Sequence, residues 1–312
     1  MKGDVTTKPT TRRFDLALSS PDWEDYALLD SGDGARLERF GPYTLVRPEA
    51  RAIWRPALPV SAWASAHARF EPTRKSGDGE WRFRVPVESP WPMQHKGLRF
   101  WARLTASRHV GVFPENAAHW DWLAGQLAPP ADPPLAVLNL FGYTGLATLA
   151  AARAGARVTH VDAAAQVVRM ARENQALAGL ETAPIRWIVD DALKFARREV
   201  RRSVRYDGLV LDPPKFGRGP KGEVWAFDRL FGELCAVCRD LLSDAPRFVV
   251  ATAYAAQVTP AQLGDALGDM LRDRGGTLAA GELVTREQSA GRILPNACYA
   301  RWSGGQLAGN PV

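Results

Sequence analysis

The chain has 312 residues, 46 % of them apolar and 24 % charged, with a formal net charge of +6 and only three cysteines. That length accommodates one large α/β domain plus a smaller one, with apolar residues enough for a substantial core. Three cysteines exclude a disulfide framework, no apolar stretch approaches the ~20 residues of a membrane span, and the basic excess suits a polyanion such as RNA as much as it suits a genome rich in arginine codons.

Residues 1 to about 20 are polar and basic and read as a disordered or loosely docked arm. The stretch Met1 to Asp15 has no apolar signal region, so a cytoplasmic location is expected. Tyr26 to Asp30 and Leu37 to Phe40 flank Ser31-Gly32-Asp33-Gly34, a hairpin signature, and Gly41-Pro42 leads to a further strand at Tyr43 to Val46. Trp81 to Val87 alternates large apolar with basic residues, and Leu98 to Leu104 with His109 to Phe113 reads as another strand pair. Residues 1–110 are therefore expected to form a small β-rich domain, and residues 111–312 a second domain of different character.

Around Pro114 the pattern turns helical through Trp120, Trp122, Leu123 and Leu127, with proline in the first turn. Strands are then expected at Leu135 to Leu140, Arg157 to Val161, Ile185 to Val189, Tyr206 to Leu211 and Arg247 to Thr252. Helices intervene at about Gly145 to Ala154, Ala164 to Leu177, Ala192 to Arg201, Asp228 to Leu242 and Pro260 to Arg274. A final strand pair is split by Ser289-Ala290-Gly291. Such alternation predicts a mostly parallel, doubly wound sheet with helices on both faces.

Four strand ends carry chemistry. Val137 to Gly145 runs from an apolar strand into a tight turn that opens an alanine-rich helix. Gly142 is expected to permit the bend, and Gly145 to let backbone approach a ligand and pack the helix closely. It is not a full dinucleotide fingerprint, and glycines occur at ordinary βα turns too. Asp162 ends the next strand about twenty residues on, where a carboxylate accepts bonds from both hydroxyls of a ribose; capping the following helix is the alternative, and position and spacing favour the ribose. Asp190-Asp191 ends the third strand, and Asp191, with Asp190 as fallback, is the expected acceptor for an adenine amino group. Asp212-Pro213-Pro214-Lys215-Phe216 ends the fourth, where two prolines stiffen a loop that presents a carboxylate.

Taken together, these segments resemble the successive motifs of class I S-adenosylmethionine-dependent methyltransferases. More narrowly, Asn139 to Gly145 and Asp-Pro-Pro-Lys-Phe are similar to the branch of bacterial large-subunit (23S) rRNA methyltransferases that modify cytosine carbon 5 or guanine nitrogen 7. The resemblance covers about residues 110 to 312 and implies a Rossmann-like seven-stranded, mostly parallel sheet preceded by the β-rich domain. It implies that Asn139, Phe141, Gly142, Tyr143, Thr144 and Gly145 wrap the methionine part of S-adenosyl-L-methionine. Asp162 would hold its ribose and Asp191 its adenine edge. Asp212, Pro213, Lys215 and Phe216 would border the methyl group and target atom. The stretch His109 to Glu115 resembles the link into the catalytic domain, which makes Phe113 and Glu115 further site candidates.

One departure bears on the reaction. Members that methylate cytosine carbon place a nucleophilic cysteine just after the fifth strand, where this chain reads Val250-Ala251-Thr252-Ala253-Tyr254. Cys235 and Cys238 fall on a helix and are expected to be buried, and Cys298 falls in the last strand. Direct transfer to a nitrogen or oxygen is expected instead, although Lys215 stands where amine-methylating relatives put an aromatic residue directly after Pro-Pro. The loop Gly217 to Gly222 is basic and expected to touch RNA. Arg286, Arg292 and Arg301 form either a basic edge or ordinary surface. The five histidines lack metal-ligand spacing and read as structural, and the amino-terminal tryptophans as core. The competing functions are a small-molecule or protein methyltransferase, a nicotinamide-dependent oxidoreductase, and a non-catalytic RNA-binding module.

Overall fold

The structure is a computed structural model that describes residues 11–19, 23–73, 79–106, 108–254 and 257–304. Strand β1 (Thr11–Ser19) comes first, followed by β2 (Tyr26–Gly32), β3 (Ala35–Phe40) and β4 (Tyr43–Pro48). Helix α1 (Val60–Ala64), β5 (Ala68–Pro72) and β6 (Gly79–Phe83) complete a five-stranded sheet in the order β2-β3-β4-β5-β6. Beside it lies a two-stranded ribbon, β7 (Trp91–His95) and β8 (Leu98–Ala102). The β-rich character expected of this region is present. The expected partner of Leu98 to Leu104 is not, because β8 pairs with β7, while residues 109–113 run without strand structure.

A 3-10 turn at Pro114–Asn116 starts α2 (Ala117–Leu127). The alternation then proceeds as β9 (Ala136–Leu140), α3 (Leu146–Arg153), β10 (Arg157–Asp162), α4 (Ala165–Leu177), β11 (Ile185–Val189), α5 (Ala192–Arg201) and β12 (Gly208–Leu211). A hairpin not foreseen from the sequence, β13 (Phe216–Arg218) and β14 (Val224–Ala226), fills the expected basic loop. The chain ends with α6 (Phe227–Arg239), β15 (Phe248–Ala253), α7 (Pro260–Met270), β16 (Thr277–Arg286) and β17 (Ile293–Ser303).

The main sheet has the order β1-β16-β17-β15-β12-β9-β10-β11, and only β17 runs antiparallel to its neighbours. Seven strands are those the sequence led us to expect; the eighth is β1. The segment expected as a loose arm therefore continues the sheet in parallel register with β16, while residues 1–10 lie outside the described part. The physical reason is a row of glycines. A Cβ on Gly281 would lie 1.6 Å from the Leu16 carbonyl oxygen, one on Gly264 2.4 Å from the Phe14 ring, and one on Gly268 2.6 Å from the Arg12 guanidinium. Only a groove stripped of side chains admits this strand.

Central strands β9, β12 and β15 are buried along their whole length, as parallel strands covered on both faces are. Alternation divides them: Val137, Val210 and Val250 pack with Leu123 of α2 and Ala151 of α3, whereas Leu138, Leu209 and Val249 pack with Phe195, Leu234 and Leu267 of α5, α6 and α7. A third cluster joins Phe40, Leu45 and Phe100 of the small sheets to Trp120 of α2 and Leu149 of α3, so the two regions share core. Alanine-rich α3 has high intrinsic helix propensity. Helix α7 starts with Pro260 behind a reciprocal capping box between Thr259 and Gln262. No helix among the described residues is long and apolar enough to cross a membrane.

Candidate active site

Strand order reverses between β9 and β12: the chain moves outward to β10 and β11 on one side, then to β15 on the other. The two βα turns that leave this point diverge to opposite faces and open a crevice at the carboxyl ends of the strands. The turn after β9 carries Phe141 and Tyr143 at φ 59° and 49° and Gly145 at 85°. Two bulky residues in left-handed conformation are strained, a condition that clusters at ligand clamps. The roles expected of the two glycines change accordingly. Gly145 takes the left-handed turn and lies against Ala171 of α4, whereas Gly142 is needed because a Cβ would strike the His160 ring at 2.3 Å.

The strained turn is braced from all sides. Tyr143 donates its backbone N–H to Asp162 Oδ2 at 2.9 Å, and Thr144 Oγ1 donates to the Gly111 carbonyl at 2.7 Å. Asn139 Nδ2 donates to Thr148 Oγ1, which meets buried His160 at 2.9 Å. Burial pushes His160 down to about 3, so it stays a neutral spacer. Asp162 Oδ1 accepts the Ala164 N–H, and burial raises the carboxyl above its ordinary range despite these bonds. Asp191 caps α5 by accepting the Lys194 N–H at 2.8 Å. Asp190 is instead paired with Arg198 at 2.7 Å.

Asp212 is the most perturbed acid of this group. Burial and then the charge of Glu115 push it up to about 7, against a hydrogen bond from Asn116. Its Oδ1 is shut off from solvent with no hydrogen-bond partner among the described residues. Burial also raises Glu115 and Tyr254, and Asn116 Nδ2 donates to the Tyr254 hydroxyl at 3.0 Å. Asn116 and Tyr254 were not singled out from sequence as site residues, and only their meeting across 138 positions reveals them. The loop after Asp212 is fixed by Trp225, whose Nε1 donates to the Pro214 carbonyl at 2.7 Å while its ring meets Phe141 at 4.8 Å.

Asp162, Asp191, Asp212, Pro213, Lys215 and Phe113 line one cleft of about 510 Å³, with the rings of Phe141 and Tyr143. An inner recess of about 50 Å³, sharing Phe113, Phe141, Tyr143 and Asp212 with it, is lined by Asn139, Gly142 and Thr144. The cleft volume lies within the ~300–1,000 Å³ of small-molecule sites. Three expected residues are not brought in, the first being Gly145, which packs against Ala171 and lines neither space. Asp190 turns to its ion pair with Arg198, and Phe216 stands 66 % exposed because pairing with Ala226 commits it to a ribbon that leaves its ring in solvent. Glu115 is buried behind Asp212 rather than in the cleft wall. Three basic residues of the amino-terminal region reach the cleft unannounced: Arg51, Arg108 and His109, the last read as structural and held at about 4 by burial and neighbouring arginines. Arg301, a candidate for a basic edge, is buried, with its Nε donating to His119 at 2.7 Å.

These residues fit a nucleoside-bearing sulfonium. Three carboxylates stand at successive strand ends in one cleft, and one carries an unused, sealed oxygen. Among the described residues no group of three or more His, Cys, Asp or Glu side chains is arranged to hold a metal ion. Residues 49–241 match the family model of S-adenosylmethionine-dependent methyltransferases. The chain belongs to this family. A solved SAM Dependent Methyltransferase from Agrobacterium tumefaciens is 45 % identical to this methyltransferase, with a TM-score of 0.90 and 96 % of each chain covered. SMU.776, solved in complex with SAH, shares the fold at 19 % identity and a TM-score of 0.65, over 89 % of this chain and 75 % of its own.

Among curated proteins, ribosomal RNA large subunit methyltransferase I of Klebsiella pneumoniae (strain 342) is 38 % identical over 81 residues, 26 % of this chain and 20 % of its own length. Ribosomal RNA large subunit methyltransferase K/L of Shewanella sp. (strain ANA-3) is 29 % identical over 171 residues, 54 % of this chain and 23 % of its own. The methyltransferase thus matches about a fifth of the length of these relatives.

Proposed function

We propose that this methyltransferase acts on ribosomal RNA in the cytoplasm, by direct methyl transfer to a base atom without a cysteine nucleophile. The observation that carries the reading is the charge of the cleft. Its acids stand at the strand ends, while Arg51 and Arg108 from the amino-terminal region face the same space as Lys215 and Arg218 from the β13 hairpin. A cationic mouth over a pocket of hydrogen-bonding groups suits a base on a phosphate backbone better than a small neutral metabolite. The curated relatives named above as ribosomal RNA methyltransferases support the same substrate.

Bound S-adenosyl-L-methionine supplies an electrophilic methyl group on a sulfonium. The chain's own residues supply alignment and dryness. In this reading Asp162 accepts bonds from the ribose diol, Asp191 from the adenine amino group, and the Asn139 to Gly145 turn wraps the methionine part, with Phe113 closing one side. Asp212, held in direction by Pro213, accepts the proton or hydrogen bond of the acceptor atom, and Lys215 steers the negatively charged substrate. The cysteines support direct transfer. Burial pushes Cys235 up to about 12 and raises Cys238 as well, and Cys298 donates its thiol to the Val258 carbonyl. None of the three lines the cleft.

The test is transfer of radiolabelled methyl from S-adenosylmethionine to protein-free rRNA, to ribosomal subunits and to a small-molecule extract, with Asp212→Ala as control. Label in rRNA or subunits that disappears in the variant is the expected result, and nucleoside digestion then names the atom. Label confined to the small-molecule extract would overturn the RNA substrate and leave the cofactor standing.

A further inference from the structure

Four arginines, Arg36, Arg47, Arg51 and Arg108, gather where the amino-terminal sheet meets the cleft, against Glu38 and Glu49, with buried Glu115 facing Arg36 and Arg47. Glu38 and Glu49 are already committed. Glu38 is buried and takes Arg47 at 2.7 Å and Arg36 at 3.3 Å, and Glu49 takes Arg51 at 3.2 Å. Arg108 forms no ion pair among the described residues, and its backbone carbonyl is pinned by Arg47 Nη1 at 3.1 Å. Burial and then the charges of Arg36 and Arg47 hold its guanidinium below its ordinary pKa, opposed by Glu49. A cation kept beside other cations, with its main chain fastened, lacks a counter-anion. Arg51 is paired through Nε with Glu49 and its Nη2 donates to the Asn296 carbonyl at 3.2 Å, while half of the side chain stays exposed.

Both side chains line the cleft that contains Asp212. We propose that Arg51 and Arg108 form the site that grips the phosphate of the acceptor nucleotide while its base lies against Asp212. The inference rests on the RNA reading above. A base that must reach Asp212 leaves its stack, and its own phosphate then arrives at the cleft mouth. Guanidinium forks match a phosphodiester bidentately, which a lysine cannot reproduce. Lys215 and Arg218 on the hairpin face the same mouth, so the backbone passes between two cationic walls. The competing anion is the cofactor's own carboxylate, and the experiment separates the two.

Binding of protein-free rRNA to the full chain is measured against salt concentration for the parent, Arg108→Ala, Arg108→Lys and Arg51→Ala, with S-adenosylmethionine affinity measured on the same proteins. Arg272→Ala, an exposed arginine paired with Asp269 outside the cleft, controls for loss of charge alone. Arg108→Ala is expected to weaken rRNA binding by about 10- to 100-fold, the range for a charge-assisted bond, and to reduce the salt slope by roughly 0.7–0.9. Arg108→Lys is expected to recover the slope but not the affinity, and cofactor affinity is expected to stay unchanged. Loss of cofactor affinity with unchanged rRNA binding would assign the arginines to the cofactor and overturn the proposal. Unchanged rRNA affinity and slope would overturn it while sparing the RNA reading. A parent that neither binds nor methylates rRNA would overturn both.

Discussion

At the scale of single residues, the role proposed for Asp212 and the stability of the fold pull in opposite directions. Its carboxyl titrates near 7 in the fold and near 3.8 when exposed, so between those values the unfolded chain loses the proton first and stability falls as pH rises. Asp212→Asn removes that cost. It is expected to stabilise the protein by about 1–3 kcal/mol at pH 8 and to have no such effect at pH 4, read by denaturant titration at the two pH values. Methyl transfer should be lost in the same variant, and in the parent it should rise with pH through about 7 if the carboxylate is the working form. Gly142 is a second point of tension. A methyl group there meets the His160 ring, so Gly142→Ala is expected to cost about 1–3 kcal/mol of stability, seen in a lowered thermal midpoint.

Among elements, β1 and the β13–β14 hairpin are the two that reach the site or the sheet by tertiary contact. Strand β1 depends on Gly281, whose Cβ position falls on the Leu16 carbonyl. Gly281→Ala is expected to release β1 from the sheet edge, with hydrogen exchange accelerating in Thr11–Ser19 and in its partner β16 while β9 and β12 stay protected. An unmasked edge of this kind also invites association, so light scattering should rise together with exchange. The hairpin acts through Trp225, which ties the Pro214 carbonyl and packs on Phe141. Trp225→Phe keeps the ring and removes the donor. Its expected signature is a fall in kcat of about tenfold from a misdirected Asp212 loop, with thermal stability changed by about 1 kcal/mol.

For the whole molecule, the amino-terminal sheet is stitched to the turn between β16 and β17. Leu28 and Leu29 carbonyls accept the Gln288 and Ser289 N–H groups, Ser289 Oγ donates to Asp30 at 2.6 Å, and Ser31 bonds Glu287. Arg36 reaches Asn296 of β17 at 3.5 Å, and Glu38 beneath it holds Arg36, Arg47 and the Tyr26 hydroxyl together. Removing Glu38 would leave buried guanidinium charge unpaired. Glu38→Ala is expected to destabilise the protein by about 3–5 kcal/mol, whereas breaking an exposed pair such as Arg272–Asp269 is expected to leave stability nearly unchanged. Differential denaturant unfolding of the two variants checks the contrast.

Local pattern was enough for the alternation from β9 to β12 and from α6 to β17, because hydrophobic period and turn chemistry are written within a dozen residues of each element. It was also enough for the carboxylates at three strand ends, since parallel strands in series place their carboxyl ends along one edge. The sequence alone determined a doubly wound methyltransferase sheet, and Asp162, Asp191 and Asp212 as residues of one cleft followed from it. Tertiary structure decided the rest. Docking of β1 depends on missing side chains in α7 and β16, and Asn116 meets Tyr254 from 138 positions away. Phe216 is turned outward by hairpin pairing, and Arg51 and Arg108 are carried to the cleft by packing of the small sheet against the large one. Each of these is a contact between segments distant in the chain, which a local periodicity does not encode.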